Sequence, residues 1–192
     1  MEPVTTDLFI NGVAGPAAGG ATYQLVNPAR PSEVVGHAAA ASRDDVDAAM
    51  RAAHDAFPAW SSLSMVERAA HLRHVAEHLN ADAEETAARA RLLTREHGKT
   101  LFETNIEVTR LADRLAQVAG FADRLQDDDT VSGKMFDTVV TRKSRGVSLL
   151  IVPWNWPLAI LGSKLPHALL AGNTVVIKLS EFATLAPAQT IM

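Results

Sequence analysis

The chain has no cysteine among its 192 residues. That excludes a disulfide framework, a zinc–thiolate site and thiol catalysis by these residues. Positive charge is not in excess: the formal net charge is −4, which offers no basic field to nucleic acid or to an anionic membrane. Long hydrophobic runs are missing too. The most apolar stretch, residues 158–170, is interrupted by Lys164, Pro166 and His167 and is too short to span a bilayer. The opening Met1-Glu2-Pro3-Val4-Thr5-Thr6-Asp7 has neither the cationic start nor the apolar core of a secretory leader. The expectation is a cytoplasmic protein. There is no internal repeat, and the heptad-like runs are single and short. What remains is ordinary: 47% hydrophobic and 21% charged residues describe a soluble globular chain, long enough for a real core.

The most informative stretch is residues 146–181, GVSLLIVPWNWPLAILGSKLPHALLAGNTVVIKLSE. Residues 147–152 form a short, branched, apolar run between Gly146 and Pro153, the pattern of a strand buried on both faces. Pro157 pre-sets a helical φ at a first helical position. The apolar segment after it stops at Gly172-Asn173, a left-handed cap. Residues 174–178 (TVVIK) repeat the buried-strand pattern. Strand, helix and strand at this length predict a βαβ unit with parallel strands. In such sheets ligands gather beyond the carboxyl ends of the strands. Here one end delivers Pro153-Trp154-Asn155-Trp156-Pro157 and the other Lys178-Leu179-Ser180-Glu181.

Two readings of these ends stand side by side. Asn155 suits a turn between two prolines for local hydrogen-bonding reasons, but its NH2 group can also donate to a developing oxyanion. Lys178 and Glu181 fit a solvated strand end. They equally offer a cation for phosphate and a carboxylate for ribose hydroxyls, which points to a nucleotide. Lys164, alone in an apolar helix, either snorkels to solvent or reaches toward the Asn155 turn.

Elsewhere, residues 8–11, 23–26 and 34–38 read as short strands, with Gly12, Gly15, Gly19 and Gly20 in turns. Ser42 starts a helix that Pro58 ends near Phe57. Ser64-Met65-Val66-Glu67 and Thr100-Leu101-Phe102-Glu103 are capping boxes, opening helices whose apolar stripes run through Leu72, Ala76 and Leu79, and from Leu101 through Leu111 and Leu115 to Leu125. A helix from Ala83 to His97 ends at Gly98. Residues 126–134, with Asp127-Asp128-Asp129, read as a solvated connection rather than a cation site, and Phe136 to Lys143 as a strand. His71, His74 and His78 share a helical face as solvated side chains or, by i, i+4 spacing, as metal ligands. No third ligand is placed to complete such a site.

At Ile151-Val152-Pro153-Trp154-Asn155-Trp156-Pro157, ALLAGN at 168–173 and Lys178-Leu179-Ser180-Glu181, the chain resembles the aldehyde dehydrogenase superfamily. The resemblance extends to Leu8-Phe9-Ile10-Asn11-Gly12 and Glu96-His97-Gly98-Lys99. One departure is Leu179, where the family usually has proline. The resemblance implies an α/β fold: the N-terminal part of the aldehyde dehydrogenase fold, helices plus the first βαβ unit of a Rossmann-like parallel sheet. It divides the chain into 1–125, the N-terminal part of the cofactor-binding domain; 126–145, a linker and oligomerisation-type strand; and 146–192, the start of the NAD(P)-binding unit.

It also implies that Asn155 is the oxyanion donor, that Lys178, Ser180 and Glu181 hold the adenosine ribose, and that Ile151, Val152, Pro153 and Trp154 line the cofactor cleft. The cofactor is NAD, with NADP as the alternative, because a carboxylate at 181 repels a 2′-phosphate while Lys178 partly offsets it. Expected partners are an aldehyde substrate and, through Phe136 to Lys143, further copies of the subunit, with no nucleic acid and no membrane. The family's catalytic cysteine and glutamate are not in this stretch. The expectation is therefore a portion inactive alone, or a non-catalytic fragment that docks onto full-length subunits.

Overall fold

The computed structural model describes residues 2–125 and 128–192. A small sheet opens the chain. β1 (Val4–Thr6) pairs in parallel with β5 (Arg30–Ala39), which pairs antiparallel with β4 (Thr22–Asn27). Between them β2 (Leu8–Ile10) and β3 (Val13–Gly15) form a hairpin. Its turn residues Asn11 and Gly12 both have positive φ, 53° and 77°, which suits Asn-Gly and matches the strand twist.

Four helices come next: α1 (Arg43–Ser62), α2 (Met65–Leu79), α3 (Ala83–His97) and α4 (Leu101–Ala119). Ser42, Ser64 and Thr100 each complete a capping box, and Asp82 caps α3 through the Glu84 and Glu85 N–H groups. Two boundaries differ from the sequence reading. α1 runs through Pro58 to Ser62. His54, whose carbonyl loses its usual partner, is exposed to water, and the Trp60 indole N–H donates to the Leu169 carbonyl at 3.0 Å, anchoring the extra turn. The long helix ends at Ala119 and tightens into a 3₁₀ turn at Gly120–Asp123, so Leu125 is 39% exposed rather than buried on the stripe.

β6 (Asp128–Ser132) and β7 (Asp137–Thr141) pair antiparallel. The connection expected at 126–134 is thus largely a strand; Gln126 and Asp127 lie outside the described residues. Pairing with β7 outweighs the poor strand preference of the aspartates. β8 (Val147–Ile151), α5 (Pro157–Leu170) and β9 (Thr174–Lys178) form the βαβ unit, with parallel strands and Pro157 in the first turn. Gly172 has φ 85° and ends α5 as expected. α6 (Leu185–Ile191) closes the chain.

The core joins Val35 of β5, Leu72 of α2, Leu93 of α3, Leu111 and Leu115 of α4 and Leu158 of α5. The expectation that the βαβ strands are buried on both faces is corrected: Leu149 is 54% and Ile151 69% exposed. Helices α1 and α5 pack against this sheet, but no described element covers the face from which those two side chains project. Among the described residues no helix is long and apolar enough to cross a membrane.

Candidate functional site

In β8 and β9, Ile151 is the register partner of Lys178, and the Val152 N–H donates to the Lys178 carbonyl at 3.0 Å. Because the strands are parallel, the chain leaves both at one edge of the sheet. Residues 153–156 and 179–184 therefore emerge beside each other.

The first loop presents Pro153, Trp154 and Asn155 to solvent, while Val152 is buried beneath them. The Asn155 amide makes no hydrogen bond to a described residue. Its position is set by the start of α5, immediately after it in the chain. Trp156 occupies the N-cap of α5 and supplies no side-chain cap, so another group must satisfy the first-turn N–H groups. Glu107 of α4 does so, accepting from the Leu158 N–H at 3.0 Å. Its other oxygen pairs with the Lys99 ammonium, and both side chains are withdrawn from water, 10% exposed at Lys99 and 0% at Glu107. The same ammonium sits 3.6 Å from the centroid of the Trp156 ring, a cation–π contact strengthened by its low exposure. His97 stacks on Trp154 with ring centroids 5.6 Å apart. Burial first, then the Lys99 charge, lowers the His97 pKa against a weaker opposing pull from the Trp154 backbone. Both of the larger effects favour the neutral ring.

The second loop carries the Lys178–Glu181 ion pair, N to O 3.3 Å, with both side chains 58% exposed. Hydrogen bonding to its own backbone N–H, then to Lys178, holds the Glu181 pKa below the usual carboxylate value. Ser180 is buried, and its hydroxyl accepts from the Phe182 N–H at 3.3 Å. Its carbonyl accepts from the Thr184 hydroxyl at 2.6 Å. These bonds hold the turn without the proline expected at position 179; Leu179 instead packs against the core. Glu96, at the end of α3, accepts from the N–H groups of Thr184, Leu185 and Ala186 at 2.9, 2.7 and 2.8 Å. Burial pushes its pKa up to about 7, against the pull of those three donors.

The sequence reading thus puts Asn155, Lys178 and Glu181 on one rim, and the structure brings them there. It missed the roles of Glu96, Lys99 and Glu107. A signal for one of these exists: Glu107 lies in the buried stripe of α4 between Thr104 and Val108, and a charge in an apolar stripe needs a partner.

The other candidates are the α2 histidines and Lys164. His71, His74 and His78 are exposed, and the described residues hold no group of three potential metal ligands. Lys164 is exposed beside a hollow of about 140 Å³ lined by Leu149, Leu150, Ile151, Val152 and Leu161, as a snorkelling lysine would be. A larger groove, about 870 Å³, lies between the α1–α2 link and residues 142–144. It shares no residue with either loop and carries none of the rim chemistry.

The chain is thus α/β, with a parallel βαβ unit whose strand-end rim carries the Asn155 amide and the Lys178–Glu181 ion pair. The chain belongs to the aldehyde dehydrogenase family, whose profile matches residues 16–191. It is 33% identical over 181 residues to lactaldehyde dehydrogenase of Escherichia coli K12, covering 94% of this chain and 37% of that protein. It is 34% identical over 181 residues to D-glyceraldehyde dehydrogenase (NADP(+)) of Thermoplasma acidophilum, covering 92% of this chain and 35% of the relative. The crystal structure of NAD-dependent aldehyde dehydrogenase from Sinorhizobium meliloti superposes with a TM-score of 0.88 at 33% identity, over 98% of this chain and 38% of that one. The chain therefore spans little more than a third of the length of the relatives it matches.

Proposed function

We propose that this chain is the N-terminal portion of an NAD(P)-dependent aldehyde dehydrogenase, which oxidises an aldehyde to a carboxylic acid, and that its strand-end rim holds the adenosine end of the cofactor. The observation that carries the reading is the Ile151–Lys178 register, which sets an exposed apolar side chain beside an exposed ion pair. An adenosine moiety needs that combination: an apolar wall for its faces and charged groups for its ribose. Glu181, ionised at neutral pH, accepts from the 2′- and 3′-hydroxyls, and Lys178 donates to them. Ile151, Pro153 and Trp154 form the wall, while Val152 and Ser180 fix the backbone from beneath. A carboxylate at 181 disfavours a 2′-phosphate, so NAD is preferred to NADP.

Asn155 directs an amide N–H to the oxyanion formed when a nucleophile adds to the aldehyde carbonyl. When bound, the nicotinamide supplies the hydride acceptor. The attacking thiol comes from outside these 192 residues, which contain no cysteine, so the purified chain does not turn over aldehyde by itself. Its compartment is the cytoplasm. Calorimetric titration with NAD, NADP and ADP-ribose tests the reading. Binding of NAD and ADP-ribose, weakened about tenfold or more by Glu181→Gln, supports it; no binding of any of the three, or binding unaffected by that substitution, refutes it.

A second reading, a fragment that docks onto intact subunits, is favoured by one observation. Residues 137–141 are exposed throughout, and Phe136 and Val139 are 73% and 59% exposed, as an oligomerising strand left without its partner would be. Size exclusion with an intact homologue checks it, and the absence of any complex removes it.

A further inference from the structure

The Glu96-His97-Gly98-Lys99 corner touches both loops of the rim. Glu96 receives three N–H groups from residues 184–186, on the far side of the Lys178–Glu181 turn. His97 stacks on Trp154, and Lys99 lies over Trp156 while pairing with Glu107, the group that caps α5. Two loops separated by a whole crossover helix are thus gripped by three side chains within four consecutive residues. The corner is itself stiff. Gly98 has φ 84°, and a Cβ there would meet Pro28 Cγ at 2.7 Å. The Gly98 N–H donates to the Thr94 carbonyl at 2.8 Å, and the Thr94 and Thr104 hydroxyls, 2.8 Å apart, tie α3 to α4.

We infer that this corner is a clamp that sets the two strand-end loops relative to each other, making Glu96, Lys99 and Glu107 positioning residues for Asn155 on one side and for the Lys178–Glu181 couple on the other. The use of that placement in catalysis rests on the proposed function; the mechanical coupling does not. Parallel strands alone align the loop bases, but the loop tips have no direct bond to each other among the described residues. The corner supplies the link. A disturbance on one branch therefore reaches the other.

Amide hydrogen exchange on the whole chain tests this, read at Leu158 for the first loop and at Thr184, Leu185 and Ala186 for the second. Lys99→Met keeps the aliphatic stem and removes the charge. It accelerates exchange at Leu158 by about tenfold to a hundredfold, because Glu107, which accepts from Leu158, loses the charged partner that holds it, and also accelerates it at residues 184–186. Lys99→Arg restores protection at both. Glu96→Gln, entering from the other branch, accelerates residues 184–186 and Leu158 together, so one foldable variant of the two decides. Arg91→Ala, at an exposed position of α3, leaves both loops unchanged. Acceleration confined to the mutated branch, with the rest of the chain protected as in the parent, overturns the clamp. Titration of the parent chain with NAD separates the questions: coupled exchange in the variants with no NAD binding by the parent keeps the clamp and refutes the cofactor reading, whereas NAD binding by the parent with uncoupled exchange in the variants does the reverse.

Discussion

Glu96 makes stability depend on pH in an unusual direction. Its carboxyl is buried, 4% exposed, and its pKa rises from 4.5 in the unfolded chain to about 7 when folded. A raised carboxyl pKa means that the folded state holds the proton more tightly than the unfolded state. The contribution is therefore fully present below pH 4.5 and is lost as pH rises through about 7. Each pKa step of one corresponds to roughly 1.4 kcal/mol, so complete ionisation costs the folded chain about 3 kcal/mol. A domain is stable by only about 5–15 kcal/mol, so the change is large.

The measurement is urea unfolding, monitored by circular dichroism from pH 4.5 to 8, of the parent chain and of Glu96→Gln. Glutamine has no proton to lose, and the other titrating groups, His97 included, are common to both chains and cancel in the difference. The parent loses ground relative to Glu96→Gln as pH rises, by a midpoint shift on the order of 1–2 M. A difference that stays flat, or that grows in the parent's favour with pH, refutes the reasoning. It would mean that the three N–H donors from residues 184–186 outweigh burial.

Glu107→Ala strands the Lys99 ammonium and uncaps Leu158, at a cost of about 3–5 kcal/mol, as for breaking a buried ion pair; Glu107→Gln, which still accepts from Leu158, costs less, and chemical denaturation ranks the two. Thr174→Val removes the buried bond from the Thr174 hydroxyl to the Ala53 carbonyl, 2.7 Å long, and lowers stability by about 1–2 kcal/mol, read as a lower melting temperature. Asn155→Ala in the complete enzyme lowers kcat by about a hundredfold to a thousandfold, the scale for one oxyanion donor. A loss below threefold in single-turnover assays removes the donor role.

The parts of the fold written in local code were legible. Ser42, Ser64 and Thr100 start helices because a hydroxyl three residues before an acidic side chain can satisfy first-turn N–H groups reciprocally, and all three do so. Pro157 and Gly172 bracket α5 by fixing φ and by accepting a left-handed one. Where local code misled, a partner elsewhere decided. Pro58 reads as a stop, yet α1 continues to Ser62, where Trp60 is bonded to the far end of α5. Asp128 and Asp129 read as loop, yet β7 supplies a ladder. The runs of β8 and β9 read as strands buried on both faces, yet composition reports only what a face would bury, not whether a neighbour is present to bury it.

The rim divides along the same line. The placement of Asn155, Lys178 and Glu181 was legible because all three lie in one short stretch, and parallel strands send both loops to the same edge. The groups that hold them were not. Glu107 reaches Leu158 across 51 positions and Glu96 reaches Ala186 across 90, so no spacing rule connects them. The opening for one of them was nonetheless visible: the Trp156 side chain has no acceptor to cap α5, which leaves the buried Leu158 N–H to find one elsewhere. A carboxylate at position 107, inside an apolar stripe, supplied the matching surplus. Paired deficits of this kind, an uncapped helix start and an unexplained buried charge, give sequence reading a way to infer long-range contacts.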